Sequence, residues 1–220
     1  MKPFAWSHSA LESFKNCPRS FHAQRVLKTV KQEPTHHTIW GEYVHKQFED
    51  FQRDGKPLAD DVIEHLGYMQ RLHQQPGEPL CELKIALNTR LEPCEFFDPA
   101  VWFRGVIDFM KIHENAALII DYKTGKPHNK FGQLKLFALH TFIANPDVET
   151  ADVRFYWTKT QDESRKTFRR SEIDTLWKEF IPDLRQYAEA FKLDVWQPRP
   201  SGLCSWCPVK DCEFWKPRRN

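Results

Sequence analysis

The sequence predicts an α/β fold, and three observations carry that expectation. Apolar residues recur at helical spacing toward both ends of the chain. Between them, from about Glu82 to Lys123, hydrophobic runs of strand length follow one another closely. Breaker clusters at Gln74-Gln75-Pro76-Gly77, Gly125-Lys126-Pro127 and Asn145-Pro146 separate the two kinds of segment.

In chain order, Ser9-Ala10-Leu11-Glu12 has the capping-box form, with Ser9 as N-cap and Glu12 reaching back. The helix that follows is expected to bend or break at Cys17-Pro18. A second helix covers about Thr38 to Arg53, with Trp40, Val44, Phe48 and Phe51 as its apolar stripe. Asp54-Gly55-Lys56-Pro57 stops it, and a further helical segment spans about Asp60 to His73. Strands are expected at Glu82–Leu87, Val101–Ile112 and Ala117–Lys123. The short connection His113-Glu114-Asn115 would pair the last two antiparallel. Lys130 to Ala144 reads as a helix, Asp152 to Thr158 as a buried strand, and Lys166 to Arg170 as its partner. From Ser171 to about Leu193 a long helix presents Ile173, Leu176, Trp177, Phe180, Leu184 and Tyr187 inward. Pro182 is expected to kink it or end its first part. The remainder is rich in proline, cysteine and tryptophan and needs contacts or a ligand to order it. No internal repeat or low-complexity tract occurs. One domain is expected over 1–220, with a helical part over about 1–77, a core over 78–170, and a C-terminal helix with a cysteine cluster over 171–220.

Composition narrows the class. With 220 residues, 40% hydrophobic and 28% charged, the chain has the balance of a globular protein with one core. No apolar stretch approaches the roughly 20 residues that span a bilayer, and Met1 to His8 lacks the apolar centre of a signal peptide. A cytoplasmic location is expected. The net charge of +2 does not by itself mark a nucleic-acid partner. Two segments are locally basic, Arg165-Lys166-Thr167-Phe168-Arg169-Arg170 and Lys216-Pro217-Arg218-Arg219; each is either a solvated loop or a phosphate contact.

The chemistry-bearing residues gather around the second and third strands. Asp108 ends Arg104-Gly105-Val106-Ile107, and Asp121-Tyr122-Lys123 closes Ala117-Leu118-Ile119-Ile120. Residues two apart on a strand share a face, so Asp121 and Lys123 project together. Antiparallel pairing would bring Asp108 toward Asp121. The chain has three acidic-x-Lys tripeptides. Asp54-Gly55-Lys56 lies in a turn, Glu82-Leu83-Lys84 lacks an acidic residue just upstream, and only Asp121-Tyr122-Lys123 has both a buried strand and a second carboxylate. Carboxylates at the end of a buried run need a partner. A divalent metal and a plain salt bridge both meet that need. Gly41 stands one helical turn before His45, where a small residue lets the helix approach the sheet or a phosphate backbone. His45 borders the buried stripe, as a structural histidine or a ligand. Gln133 and Phe137, four apart, share a helix face; Gln133 would bond substrate or a site carboxylate, or simply face solvent.

Six cysteines in a cytoplasmic chain are free or metal-bound more often than disulfide-linked. Cys204, Cys207 and Cys212 have a C-x-x-C-x-x-x-x-C spacing that can wrap one metal centre, for which a closed site needs a fourth ligand; the alternative is that they are unliganded. Cys81 and Cys94 have no such spacing and read as ordinary thiols.

The ordered set Gly41-x-x-x-His45, Glu82, Gly105-Val106-Ile107-Asp108, Asp121-Tyr122-Lys123 and Gln133-x-x-x-Phe137 resembles the RecB-type branch of the PD-(D/E)xK nucleases. Within it, the set is most similar to the small CRISPR adaptation exonucleases and related phage exonucleases, from about Ser7 to Trp215. Phe137 stands where that family usually has tyrosine, so ring packing can persist without the hydroxyl. The resemblance implies a restriction-endonuclease-like core, a mixed central sheet flanked by helices, with a helical N-terminal cap and a cluster-bound C-terminus. It implies a Mg2+- or Mn2+-dependent DNA exonuclease acting on single strands or ends, with recombination, repair or CRISPR adaptation proteins as partners. His45, Asp108, Asp121 and the Tyr122 carbonyl would hold the metal. Lys123 would orient the attacking water, Glu82 would position Lys123 or hold a second metal, and Gln133 would complete the site. Cys17, in Cys17-Pro18-Arg19, matches the family's isolated first cysteine. With Cys204, Cys207 and Cys212 it would hold a 4Fe–4S cluster, with zinc as the alternative, shielded by Trp206, Phe214 and Trp215. Two rival readings use the same fold: a catalytically silent DNA-binding scaffold and a structure-specific endonuclease.

Overall fold

A computed structural model describes residues 5–216. Residues 1–4, and with them part of the segment read for a leader, lie outside the described residues, as do Pro217, Arg218 and Arg219 of the basic tail. Two compact units form, one from Ala5 with Pro34–Trp177, the other from Trp6–Glu33 with 178–216. Among the described residues no helix is long and apolar enough to cross a membrane.

The first unit is a five-stranded mixed sheet flanked by helices. Its strands β1 (Leu80–Asn88), β2 (Val101–His113), β3 (Ala116–Lys123), β4 (Thr150–Trp157) and β5 (Asp162–Arg169) lie side by side in sequence order. Only β3 and β4 run parallel. That parallel step needs a crossover, supplied by helix α5 (Gly132–Ala144). The β2–β3 hairpin closes on Glu114 and Asn115, with Glu114 at φ 51°.

Two faces of the sheet are covered because neighbouring strand residues point opposite ways. Phe109, Ile120, Tyr122 and Tyr156 pack with Val44 and Phe48 of α3 (His36–Asp54) and with Met69 and Leu72 of α4 (Leu66–His73). Thr35 caps α3 through its side chain, and Gly55 ends it. The Asp60–His73 segment is a 3-10 turn over Asp60–His65 that continues into α4. On the other side Met110 meets Thr141 of α5, whose Oγ1 lies 3.6 Å from the methionine sulfur. Phe137 of α5 is 2% exposed, and it lies over Gly105: a Cβ there would stand 3.0 Å from the ring. Gly105→Ala is therefore expected to overpack this contact at about 1–3 kcal/mol. Calorimetry should show a melting temperature lower by roughly 2–12 °C; an unchanged value would mean the ring moves aside freely.

His140, on the same helix, is 8% exposed. Burial pushes its imidazole down to about 4, against the opposing pull of the Ala86 carbonyl to which it donates. A depressed folded-state value means full stability above the unfolded value near 6.5 and loss as pH falls toward 4. The loss amounts to about 3 kcal/mol from this one ring. Urea midpoints at pH 7 and pH 4.5 should converge in His140→Gln relative to the parent; equal pH dependence in both proteins would refute the assignment.

In the second unit, α1 (His8–Asn16) is capped by Ser7, whose Oγ accepts the Ala10 N–H at 3.2 Å. Ser9 lies inside the helix, contrary to the expected capping box. Starting at Ser7 puts Trp6 and Leu11 in the positions of a hydrophobic staple, and both are fully buried. Pro18 disfavours helical backbone at the residue before it, and Cys17 is extended at φ −163°. Helix α2 (Pro18–Phe21) restarts at once and passes into a π-helical turn over His22–Val26. Phe14, Phe21, Tyr187, Phe191 and Trp196 form the aromatic core of this unit, with ring centroids 4.8–6.3 Å apart. Helix α6 (Ile173–Leu193) continues through Pro182 rather than ending there.

Candidate active site

Strand pairing gives way at one place. The β2–β3 ladder runs from His113↔Ala116 to Phe109↔Ile120 and stops, while β3 stays paired with β4 as far as Lys123↔Trp157. Just beyond the stop, the Asp108 carboxylate takes over from the backbone: its Oδ2 accepts the Tyr122 N–H at 2.7 Å. The β1–β2 ladder passes over Glu82, between Cys81↔Phe109 and Leu83↔Ile107, and Glu82 sits at φ 49°. Left-handed backbone at a non-glycine residue costs on the order of 1–3 kcal/mol and gathers at functional sites.

From α3, His45 enters the gap between the strands. Its Nε2–H donates to the Tyr122 carbonyl at 2.9 Å, and its Nδ1 lies 3.4 Å from Asp108 Oδ2. Burial is the largest influence on this ring and lowers its pKa. The hydrogen bond and charge of Asp108, with Asp121 behind, outweigh it and leave the value raised. His45, Glu82 and Asp108 offer ligand atoms within 4.8 Å of one another. Burial, then the Asp108 charge, pushes the Glu82 carboxyl up. Gly41, His45 and Glu82 line an open cleft of about 610 Å³ with Glu42, Lys46 and Thr124. A Cβ on Gly41 would stand 3.3 Å from Thr124 Oγ1, so the small residue lets α3 close on the loop after β3.

Lys123, Asp121 and Gln133 form a closed triangle. Lys123 Nζ donates to Gln133 Oε1 at 3.0 Å, Gln133 Nε2 donates to Asp121 Oδ1 at 2.7 Å, and Lys123 pairs with Asp121 Oδ2. Asp121 is 1% exposed. Burial, then the Asp108 charge, raises its pKa, and Lys123 opposes both. Phe155 lies beneath the lysine, its ring centroid 5.4 Å from Nζ.

The structure thus gathers every sequence-predicted residue of the centre, in two groups. His45, Asp108 and the Tyr122 carbonyl stand together, joined by Glu82, which faces them rather than Lys123. Asp121 turns both oxygens to Gln133 and Lys123. Sequence reasoning missed Phe155 and Thr124. Phe155 comes opposite Asp121 only through the parallel β3–β4 register, for which the sequence holds no local signal.

The far end of the basic segment Arg165 to Arg170 lies away from this site. The β4–β5 register puts Asp162 beside Trp157 and Arg169 beside Thr150. Arg169 is therefore about 23 Å along the strand from the Lys123 end, at roughly 3.3 Å per residue. Arg170 holds the carbonyls of Val148 and Asn145 at 2.9 and 2.6 Å.

Cys17, Cys204, Cys207 and Cys212 all line one cavity of about 490 Å³ in the second unit. Arg199 N–H points to Cys17 Sγ at 3.5 Å and Ser201 N–H to Cys204 Sγ at 3.3 Å, while the Ser20 hydroxyl lies 3.5 Å from Cys207 Sγ. Trp206, Phe214 and Trp215 line the same cavity, yet Trp206 is 67% exposed, so it shields the thiols less than its sequence position implied. Burial pushes the Cys81 thiol up to about 11 and raises Cys94 as well, which keeps both protonated.

A family model described as "PD-(D/E)XK nuclease superfamily" matches residues 5–212. No curated protein matches the sequence. Among solved structures, the chain is similar to one described as "Putative exonuclease" from Eubacterium rectale, at 13% identity and TM-score 0.59, covering 97% of this chain and 90% of that one. It is also matched to SSO0001 at 13% identity and TM-score 0.42, covering 96% and 87%.

Proposed function

The chain belongs to the PD-(D/E)XK nuclease superfamily and has its restriction-endonuclease-like fold; from that premise we propose that it is a Mg2+- or Mn2+-dependent DNA exonuclease of the RecB-type, CRISPR-adaptation-like branch, working on single-stranded DNA or DNA ends. The carrying observation is the convergence of His45, Glu82, Asp108, Asp121 and Lys123 at the point where the β2–β3 pairing stops. The similarity of fold to the Eubacterium rectale protein supports the exonuclease reading. We take the whole chain as one nuclease domain, acting in the cytoplasm, where cysteines outside disulfides stay reduced, beside recombination, repair or spacer-processing proteins.

The donor set fits a hard divalent cation. Two carboxylates and a carbonyl supply oxygen, and one imidazole is compatible with manganese. His45, Asp108 and the Tyr122 carbonyl would hold the ion, with Glu82 or Asp121 completing the set. When bound, such an ion polarises the scissile phosphate and makes water more acidic. Lys123, aimed by Gln133 and Asp121, presents its ammonium where charge develops on the phosphate, and orients the attacking water. Asp121 holds that ammonium in place and balances its charge.

The four thiols fit a cluster as well. They share one cavity, and backbone N–H groups already point at the Cys17 and Cys204 sulfurs, as they do around thiolate-bound iron–sulfur centres. We propose a structural 4Fe–4S cluster there. Cleavage of 5′- and 3′-labelled oligonucleotides, with Mn2+, Mg2+ or chelator, tests the activity. Release of mononucleotides from a linear strand, none from a circular one and none in chelator, is expected; nicking of circular strands would overturn the exonuclease assignment.

A further inference from the structure

The connection between β1 and β2, residues 89–100, is long for a hairpin, where 2–5 residues are usual. It carries Phe96 and Phe97, whose rings meet edge to face with centroids 5.1 Å apart. Phe97 is 75% exposed. Leaving such a ring in water forfeits the burial that would otherwise favour folding.

Two cations flank the pair. Lys84 Nζ lies 5.8 Å from both ring centroids, and the Arg104 guanidinium carbon lies 5.3 and 5.9 Å from them. Among the described residues neither cation has a carboxylate partner, and the Arg104 Nε is buried without an acceptor. Acidic residues are at hand in the loop, but Asp98 spends an oxygen on the Ala100 N–H at 2.6 Å. Lys84 is two residues from Glu82 on β1, and Arg104 is four from Asp108 on β2. At roughly 3.3 Å per residue these are about 7 and 13 Å along the strands, within reach of the nucleotides next to a scissile phosphate.

We propose that Phe97, backed by Phe96 and flanked by Lys84 and Arg104, is a stacking platform for an unpaired base of single-stranded DNA. The solvent-exposed surface of the Phe97 ring can accept any base, and the two cations over the rings take the adjoining phosphates. A base inside a duplex has both faces covered by its neighbours, so the platform discriminates in favour of unpaired strands. Its place beside the cleavage centre rests on the nuclease reading; the stacking itself does not.

The test is equilibrium anisotropy in chelator, with the full chain and three labelled probes: oligothymidylate, an abasic strand of equal length, and a duplex. The parent is expected to bind oligothymidylate more tightly than the abasic strand. Phe97→Ala should weaken oligothymidylate binding by roughly 5- to 150-fold and leave the abasic strand and duplex unchanged, with Phe97→Trp restoring the base preference. Lys84→Gln should weaken both single strands alike and lower the salt slope by about 0.7. Because Phe97 is exposed, these variants should keep the parent's melting temperature. An unchanged ratio of oligothymidylate to abasic affinity in Phe97→Ala overturns the platform, even if the protein cleaves DNA. A Phe97-dependent base preference in a protein that cleaves nothing when metal is added supports the platform and sinks the nuclease reading alone.

Discussion

Asp108→Asn is expected to lower metal-dependent cleavage by about 10³-fold or more while leaving the protein folded. Asparagine keeps an oxygen to accept the Tyr122 N–H, so the backbone donor that Asp108 satisfies is not orphaned. What disappears is the negative charge beside His45 and Glu82, which a divalent cation requires. Lys123→Ala should cost roughly 10²–10³-fold, the size seen when one preorganised donor is removed from a developing charge. Removing one partner of a buried pair usually destabilises by about 3–5 kcal/mol. Here the penalty is cushioned, because burial and Asp108 already push the Asp121 carboxyl upward, so it can take up a proton and stay neutral beside Gln133. Single-turnover cleavage with unfolding curves on the same samples separates the two effects. Near-parental cleavage in either variant would remove the site from consideration.

Cys17→Ser is expected to abolish broad absorbance near 400 nm (roughly, as for thiolate-bound iron–sulfur centres) and to lower stability sharply. Cys17 is held extended by Pro18 and lines the same cavity as Cys204, Cys207 and Cys212. Serine keeps an acceptor for the Arg199 N–H but supplies no thiolate. A ligand bound only by the folded state contributes about 4 kcal/mol at 1,000 times its dissociation constant, so the melting temperature should drop by about 8–16 °C. Iron and zinc analysis with calorimetry on anaerobically purified protein checks this. A colourless parent holding one zinc would replace iron with zinc; a variant matching the parent in metal content and melting temperature would remove Cys17 from the ligand set.

Much of the centre was legible because the relevant residues lie in elements with strong local signals. Ala117 to Lys123 is an apolar run with a carboxylate and a lysine at its end, and hairpin spacing alone carries Asp108 toward Asp121. The Cys204–Cys212 spacing and the break at Cys17-Pro18 are equally local. One misreading arose where two local solutions compete. Ser7 and Ser9 can each cap α1, and the burial of Trp6 and Leu11 decides for Ser7. Pro182 removes one helical hydrogen bond, yet α6 continues, because packing of Phe180, Tyr187 and Ala190 fixes the helix on both sides of it.

By itself the sequence determined the kinds of elements, their order, and which carboxylates and thiols stand at their ends, since period and turn chemistry act over a few residues. Only the tertiary structure decided which atoms meet. The Asp108 bond to the Tyr122 amide, the left-handed Glu82 facing His45, Phe155 beneath Lys123 and the bare cations beside Phe97 all depend on strand register. Register is set by burial and pairing summed over distant segments, and no single stretch of residues encodes that sum.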